Sequence, residues 1–176
     1  MDSYGHPHLP IEQLVRRTDT RFQFGFATEA KELLPDNEEY LLEGSRTGLR
    51  VLGKNEEALA APIEILREVY GARLAVEPPR VRLIGGVQLQ EPIMHVRVSL
   101  ETRFAAPVKQ ALVRRGATPH EEYTRATYCV LRYEAPLAAL LGLPAELAQL
   151  TAGRAKHWSA LSHYAIVTGG PGGHAA

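Results

Sequence analysis

Several features are scarce in this sequence of 176 residues, and each scarcity excludes a class of protein. A single cysteine, Cys129, excludes an internal disulfide and fits a reducing compartment. No apolar run approaches the roughly 20 residues that a helix needs to cross a bilayer. Residues 1–10 also lack the basic and apolar segments of a signal peptide. The sequence therefore predicts a cytoplasmic protein that does not use a membrane.

Charge of one sign is not in excess either. Lys+Arg and Asp+Glu number 20 each, so the formal net charge is zero. Long-range attraction to nucleic acid is thereby excluded, and any RNA site has to be a local patch. The histidines show no metal-ligand spacing and no cysteine pair accompanies them, so we expect neither a metal site nor a cofactor.

The two ends of the chain show little periodic pattern. Residues 1–19 are predicted to form a flexible arm with at most one short helical turn. Residues 169–176 are a Gly/Pro-rich tail, which we expect to be disordered. After the arm, the alternation of Phe22, Phe24 and Phe26 predicts a half-buried strand.

The rest of the first half alternates between extended and helical patterns. The stretch "EYLLEGSRTGLRVLG", residues 39–53, predicts one bulged strand or a hairpin. Asn55 is a candidate N-cap for a helix that ends at Gly71, and Pro62 is expected to kink that helix or delay its start. Two extended pieces follow, up to a boundary at Gly85-Gly86.

The second half reads as β-α-β-β-α-β, the order of a ferredoxin-like split βαβ unit. Pro107 opens its first helix and Gly116 ends it. The first half is a shorter version of the same scheme. We therefore predict an α+β protein of two ferredoxin-like lobes with antiparallel sheets, over residues 20–86 and 87–168.

Three stretches of the second half carry a resemblance to a known family. They are "EPIMHVRV" at 91–98, "RRG" at 114–116 and "YEAPLAALLGLPAELAQLTAGRAKHWSALSHY" at 133–164. In order and spacing they resemble the C-terminal domain, domain V, of elongation factor G. The first half is similar to domain III of that factor, with its first helix absent and with a different turn at Ser45–Gly48.

The resemblance carries implications for function. No G-x-x-x-x-G-K-[ST] phosphate loop is found, because Gly53-Lys54 is followed by Asn55. Because this loop is missing, we expect a non-enzymatic module that does not bind GTP. The resemblance implies a contact with ribosomal RNA or a ribosomal protein. A protein–protein interaction or oligomerisation module, such as a homodimer, is the alternative. An enzyme with a pocket between the lobes is a third reading.

The stretch "LTAGRAKHWSALSHY", residues 150–164, places a serine beside a histidine. Strand alternation predicts that Ser162 and His163 lie on opposite faces and cannot form a nucleophile–base pair. We therefore predict no catalytic residue. The same alternation assigns Lys156, Trp158 and Tyr164 to one face.

That face is expected to be the one that the helices leave open, together with His95, Arg97, Ser99, Tyr128, Val130 and Arg132. Aromatic side chains among basic ones are typical of sheets that stack RNA bases. Packing against the first half or a second copy, and simple solvation, are the alternatives. Cys129 is expected to face inward as an inert thiol.

Other basic residues lie outside the sheet. Arg114 and Arg115 close a helix, where they either complement the helix dipole or contact phosphate. Arg154 forms a small basic spot with Lys156 and His157, and Arg80 and Arg82 form a second pair. The predicted RNA- or partner-binding set is Arg97, Arg114, Arg115, Tyr128, Arg132, Arg154, Lys156, Trp158 and Tyr164.

Overall fold

The computed structural model describes residues 5–167. The chain divides into two compact units, Met1–Arg82 and Leu83–Ala176. The division falls at Arg82/Leu83 rather than at the predicted Gly86/Val87. The predicted tail at 169–176 lies outside the described residues.

The first unit is a five-stranded antiparallel sheet with two helices. The elements are β1 Ile11–Arg17, α1 Gln23–Leu33, β2 Tyr40–Ser45, β3 Gly48–Gly53, α2 Glu56–Tyr70, β4 Leu74–Val76 and β5 Arg80–Val81. The strand order is β2-β3-β1-β4, where β4 pairs with the end of β1 and β5 pairs with its beginning, at Ile11 and Glu12.

The prediction of a flexible arm is wrong for residues 11–17. They form β1, which pairs with β3 on one side and with β4 and β5 on the other. Ile11 and Val15 are completely buried. The strand is stabilised by pairing with strands that lie far away in the sequence. Its own short hydrophobic pattern was therefore too weak to predict it.

The predicted strand at Phe22–Phe26 is also wrong, because this segment begins α1. Phe22 and Phe24 are exposed, whereas Phe26, Ala27, Ala30 and Leu34 are buried. That spacing of three and four residues is helical. The helix that the resemblance treated as absent is therefore present.

Local signals in the rest of the first unit predicted the structure well. Residues 40–53 form a hairpin, one of the two forms expected. The Asn55 side chain accepts a hydrogen bond from the Ala58 amide at 2.9 Å, as expected of an N-cap. Gly71 ends α2 with a φ of 55°. Pro62 lies inside α2 and does not delay its start at Glu56.

The second unit is a four-stranded antiparallel sheet with helices on one side. The elements are β6 Gln90–Glu101, α3 Ala105–Arg114, β7 Thr118–Thr124, β8 Tyr128–Pro136, α4 Leu137–Leu140, α5 Leu143–Thr151 and β9 Lys156–Ile166. The strand order is β7-β8-β6-β9, so the central strands β6 and β8 are flanked by the edge strands β9 and β7. The predicted α+β class with ferredoxin-like topology is confirmed.

The core of the second unit lies on the helical side of the sheet. Strand β6 contributes Met94, Val96, Val98 and Leu100, all buried. Cys129 is buried on the same side, as expected of an inert thiol. Among residues 5–167, no helix is long and apolar enough to cross a membrane.

The position of β1 inside the first sheet can be tested by truncating Ile11. The Ile11→Ala variant should lose about 2–5 kcal/mol of unfolding free energy, because it removes buried methyl groups and leaves a cavity. Val87→Ala is the control, since Val87 is fully exposed and its loss should change stability by less than about 0.5 kcal/mol. Urea unfolding followed by circular dichroism measures both. Equal stability of the two variants would contradict a buried β1.

Candidate nucleic-acid interface

The second sheet has one face that its helices do not cover. On β6 the side chains that alternate with the buried ones are His95, Arg97 and Ser99, and the first two are exposed. On β8, Tyr128 and Arg132 are exposed and Val130 is half-buried. These residues share a face with Lys156 and Trp158 of β9, which lie opposite Ser99 and Arg97, as strand alternation predicts. We call this surface the open face.

A row of four side chains crosses the open face from one edge strand to the other. Cross-strand pairing aligns Glu121 of β7 with Arg132 of β8, Arg132 with Arg97 of β6, and Arg97 with Trp158 of β9. Directly opposed residues of antiparallel strands lie close enough for their side chains to interact. Arg97 therefore lies between a second arginine and an exposed tryptophan.

Charge pairing leaves two cations of the open face uncommitted. Arg132 donates a hydrogen bond to Glu121 at 2.8 Å. Among residues 5–167, Arg97 and Lys156 make no ion pair or hydrogen bond with another side chain. Lys156 lies opposite Ser99. Trp158 is 55% exposed and Tyr128 is 44% exposed. The two aromatic rings and two free cations thus face solvent together.

These side chains line one shallow depression of about 1070 Å³. It is open rather than enclosed, so it suits a ligand that lies flat on the sheet. Its lining includes His95, Arg97, Ser99, Tyr128, Arg132, Lys156 and Trp158, all from the predicted open face.

Two β-bulges interrupt the regular alternation at the other end of the open face. One lies in β9, where Leu161 and His163 pair with consecutive residues of β6 and Ser162 is the extra residue. The other lies in β7, where His120 is the extra residue. Both bulges direct side chains towards Glu134 of β8. His120 Nε2 donates to Glu134 Oε2 at 2.6 Å, and His163 Nδ1 lies 3.3 Å from Oε1.

These contacts perturb the Glu134 carboxyl. The hydrogen bond from His120 is the main cause that holds the pKa of Glu134 below its ordinary value. Partial burial opposes this effect, and the Ser162 hydroxyl and the charge of His95 lower the pKa further. The ionised form of Glu134 is therefore stabilised by the folded structure.

The prediction that Ser162 and His163 cannot meet is wrong. Their Oγ and Nδ1 atoms lie 2.9 Å apart, because the bulge breaks the alternation on which the prediction depended. The arrangement still differs from a catalytic triad. Glu134 approaches the same nitrogen, Nδ1, whereas a triad uses the two ring nitrogens for the nucleophile and the carboxylate.

The same bulge moves Tyr164 away from the site. Tyr164 pairs with Pro92, which is buried on the helical side, and His163 takes the place on the open face. The structure therefore contradicts the assignment of Tyr164 to the face of Lys156 and Trp158.

The remaining predicted cations are engaged in ion pairs. Arg114 and Arg115 both bind Glu146, at 2.9 Å and 2.7 Å. Arg115 Nη1 also donates to the carbonyls of Ala139 and Leu141, each at 2.9 Å. Arg154 pairs with Glu101 at 3.0 Å. Arg115 thus ties the end of α3 to the α4–α5 segment, a structural role beyond the helix dipole.

The basic pair outside the second sheet is engaged as well. Arg82 donates to the carbonyls of Gly5, His6 and Leu9, and Arg80 binds Glu77. In the described part of the chain, no group of three or more His, Cys, Asp or Glu residues is arranged to hold a metal ion.

Comparison with known proteins identifies the second unit. A family model described as the elongation factor G C-terminus matches residues 88–172. These residues form an elongation factor G C-terminal-type region. The resemblance predicted over residues 91–167 is thereby confirmed, whereas the likeness of the first unit to domain III stays a prediction.

Two curated relatives extend this finding. The chain is 32% identical over 99 residues to elongation factor G 2 of Hahella chejuensis, which covers 56% of this chain and 13% of that protein. It is 32% identical over 166 residues to the large ribosomal subunit assembly factor BipA of Haemophilus influenzae, covering 93% of this chain and 25% of that protein. The chain thus spans a quarter or less of the length of these relatives.

A solved structure shares the fold. A crystal structure of a Thermus thermophilus protein superimposes with a TM-score of 0.64 at 15% identity, over 90% of this chain and 41% of that one. The chain therefore contains a translation-factor module of elongation factor G C-terminal type.

The sequence did not predict the group of side chains around Glu134, which we call the Glu134 cluster. This cluster consists of Glu134 of β8, His120 of β7, and Ser162 and His163 of β9, and the three residues from the edge strands reach Glu134 only because of the two bulges. The proline at 119, which cannot donate to a strand ladder, was the one local signal for the β7 bulge.

The role of Arg115 predicts a difference between two neighbouring arginines. Arg115→Ala should lower the unfolding free energy by about 1–3 kcal/mol, because two carbonyls and Glu146 lose a donor. Arg114→Ala should cost less than about 0.5 kcal/mol, since its side chain is 64% exposed and makes only the surface ion pair. Urea unfolding of both variants checks this, and equal losses would contradict a structural role specific to Arg115.

The Glu134 cluster predicts a pH-dependent coupling. Because the folded pKa of Glu134 lies below the unfolded one, its stabilisation is present above the unfolded pKa and is lost as pH falls through the folded pKa. In a double-mutant cycle, Glu134→Gln and His120→Gln should therefore couple by up to about 1 kcal/mol near pH 6. The coupling should fall as the pH is lowered through the folded pKa of Glu134, because the protonated carboxyl no longer carries the charge that His120 stabilises. Additive effects at every pH would show that the pair contributes nothing.

Proposed function

We propose that this chain acts as a non-enzymatic translation accessory module that contacts the ribosome through the open face of its second unit. The observation that carries the proposal is the pair of uncommitted cations, Arg97 and Lys156, beside the exposed Trp158. Cations without a carboxylate partner are available to phosphate, the dominant ligand of RNA-binding surfaces.

The relatives support the same proposal. The family of the matched region is that of a translation factor, and one relative is named for assembly of the large ribosomal subunit. We therefore propose the large subunit as the partner. GTP binding is not part of the proposed role, and neither is a catalytic residue or a cofactor.

Electrostatics set the expected strength of this contact. With a formal net charge of zero, the chain has no long-range field to hold it on RNA nonspecifically. Binding through a few phosphate contacts should therefore be moderate in affinity, saturable and sensitive to salt.

Co-sedimentation with ribosomes and with separated subunits tests the proposal. The wild-type chain should pellet saturably with the large subunit at low salt and less at moderate salt. Arg97→Ala combined with Lys156→Ala should abolish most of this binding, because it removes both uncommitted cations of the open face.

A matched control removes two exposed cations from the other unit, Arg46→Ala with Arg67→Ala. It should pellet like the wild type. Equal losses in both double variants would point to bulk charge rather than to the open face. Absence of pelleting at either salt would overturn the ribosome proposal and favour the protein–protein interaction alternative.

A further inference from the structure

The surroundings of Trp158 leave its ring accessible to a flat ligand. Trp158 lies on the edge strand β9, so one side of it has no neighbouring strand. Its neighbours on the same face of β9 are Lys156 and the small Ala160, and Arg97 lies opposite on β6. No bulky apolar side chain from these positions covers the indole, which is 55% exposed.

The charge next to Trp158 is unbalanced. Arg97 and Arg132 are directly opposed, an arrangement of like charges that is unfavourable in a sheet unless an anion lies nearby. Glu121 neutralises Arg132 only. With Lys156 beside Trp158, the middle of the open face has two positive charges more than it has carboxylates, counting Arg97, Arg132 and Lys156 against Glu121.

An exposed aromatic ring between two free cations matches the chemistry of a nucleotide. The ring offers a stacking surface for a base, and the cations offer charge to the phosphates on either side of it. In a duplex the bases are already stacked on one another and their faces are hidden, so only an unpaired base can reach the indole.

We propose that Trp158 stacks an unpaired base of single-stranded RNA while Arg97 and Lys156 contact the phosphates that flank it. This inference rests on the proposed function and specifies the RNA element involved: a loop, bulge or end rather than a helix. Three of the four side chains in the row across the open face, Glu121, Arg132 and Arg97, are charged. A charged surface favours RNA over an apolar protein partner.

The experiment uses the fluorescence of Trp158, which is the only tryptophan in the chain. The full chain is titrated with an RNA oligonucleotide of about eight nucleotides, a length within the usual range for single-strand sites. A duplex of the same sequence and a polyglutamate peptide are titrated in parallel. Stacking should quench the fluorescence with the single strand and leave it unchanged with the duplex and the peptide.

Variants separate stacking from charge, with binding measured by anisotropy of a labelled oligonucleotide. Trp158→Ala should weaken binding by about 5- to 150-fold, whereas Trp158→Phe should retain most of it because a ring remains. For two phosphate contacts, log K should fall with log salt with a slope of about −1.4. Arg97→Gln and Lys156→Gln should each reduce that slope by about 0.7.

Three outcomes would overturn the inference: no binding of the single strand, equal binding of the duplex, or displacement of the RNA by polyglutamate. The last outcome would indicate an acidic protein segment as the ligand. Ribosome pelleting of the wild-type chain without oligonucleotide binding would remove this inference and leave the proposed function standing. Oligonucleotide binding without ribosome pelleting would remove the proposed function and leave base stacking on Trp158 standing.

Discussion

The structure of the second unit depends on the alternation of side chains along its central strand β6. Met94, Val96, Val98 and Leu100 are buried beneath the helices, which fixes the register of β6 against β8 and β9. A slip of one residue would exchange the two faces of the strand and bury Arg97. The arrangement of Arg132, Arg97 and Trp158 across the open face is thus a geometric consequence of how the core packs.

The two bulges are the places where this constraint is relaxed. Each adds one residue to an edge strand, while the central strands keep their regular pairing with each other. The extra residues, His120 and Ser162, would otherwise follow the alternation, but instead they approach the carboxyl of Glu134. The open face therefore has two chemically distinct ends: a cationic aromatic end at Trp158 and a carboxylate–imidazole end at Glu134.

Features that depend on residues close together in the sequence could be predicted, whereas features that depend on distant residues could not. The N-cap at Asn55 and the end of α2 at Gly71 depend on neighbouring residues, and both could be predicted. Strand β1 depends on partners more than thirty residues away, so its alternation alone looked like an irregular arm. The alternation of Phe22, Phe24 and Phe26 predicted a strand wrongly. Phe22 and Phe24 are exposed at the start of α1, where a two-residue period does not reflect the structure. Likewise Tyr164 and His163 exchanged faces because no local pattern predicts a bulge in β9.

A chain with no net charge can still present a local cationic surface, because many of its arginines are paired with carboxylates while Arg97 and Lys156 of the open face are not. Most of the arginines predicted as binding residues are held by carboxylates: Arg114 and Arg115 by Glu146, Arg132 by Glu121, and Arg154 by Glu101. These pairs reduce the charge available to a ligand, and only Arg115, which also binds two carbonyls, is expected to stabilise the fold appreciably. Among the described cations of the open face, only Arg97 and Lys156 are left without an ion pair. Under the proposed function, discrimination between ligands would come from the aromatic ring rather than from total charge. Trp158 lies at the edge of the sheet next to Arg97 and Lys156, so the exposed ring and the unpaired cations occur at the same place on the open face.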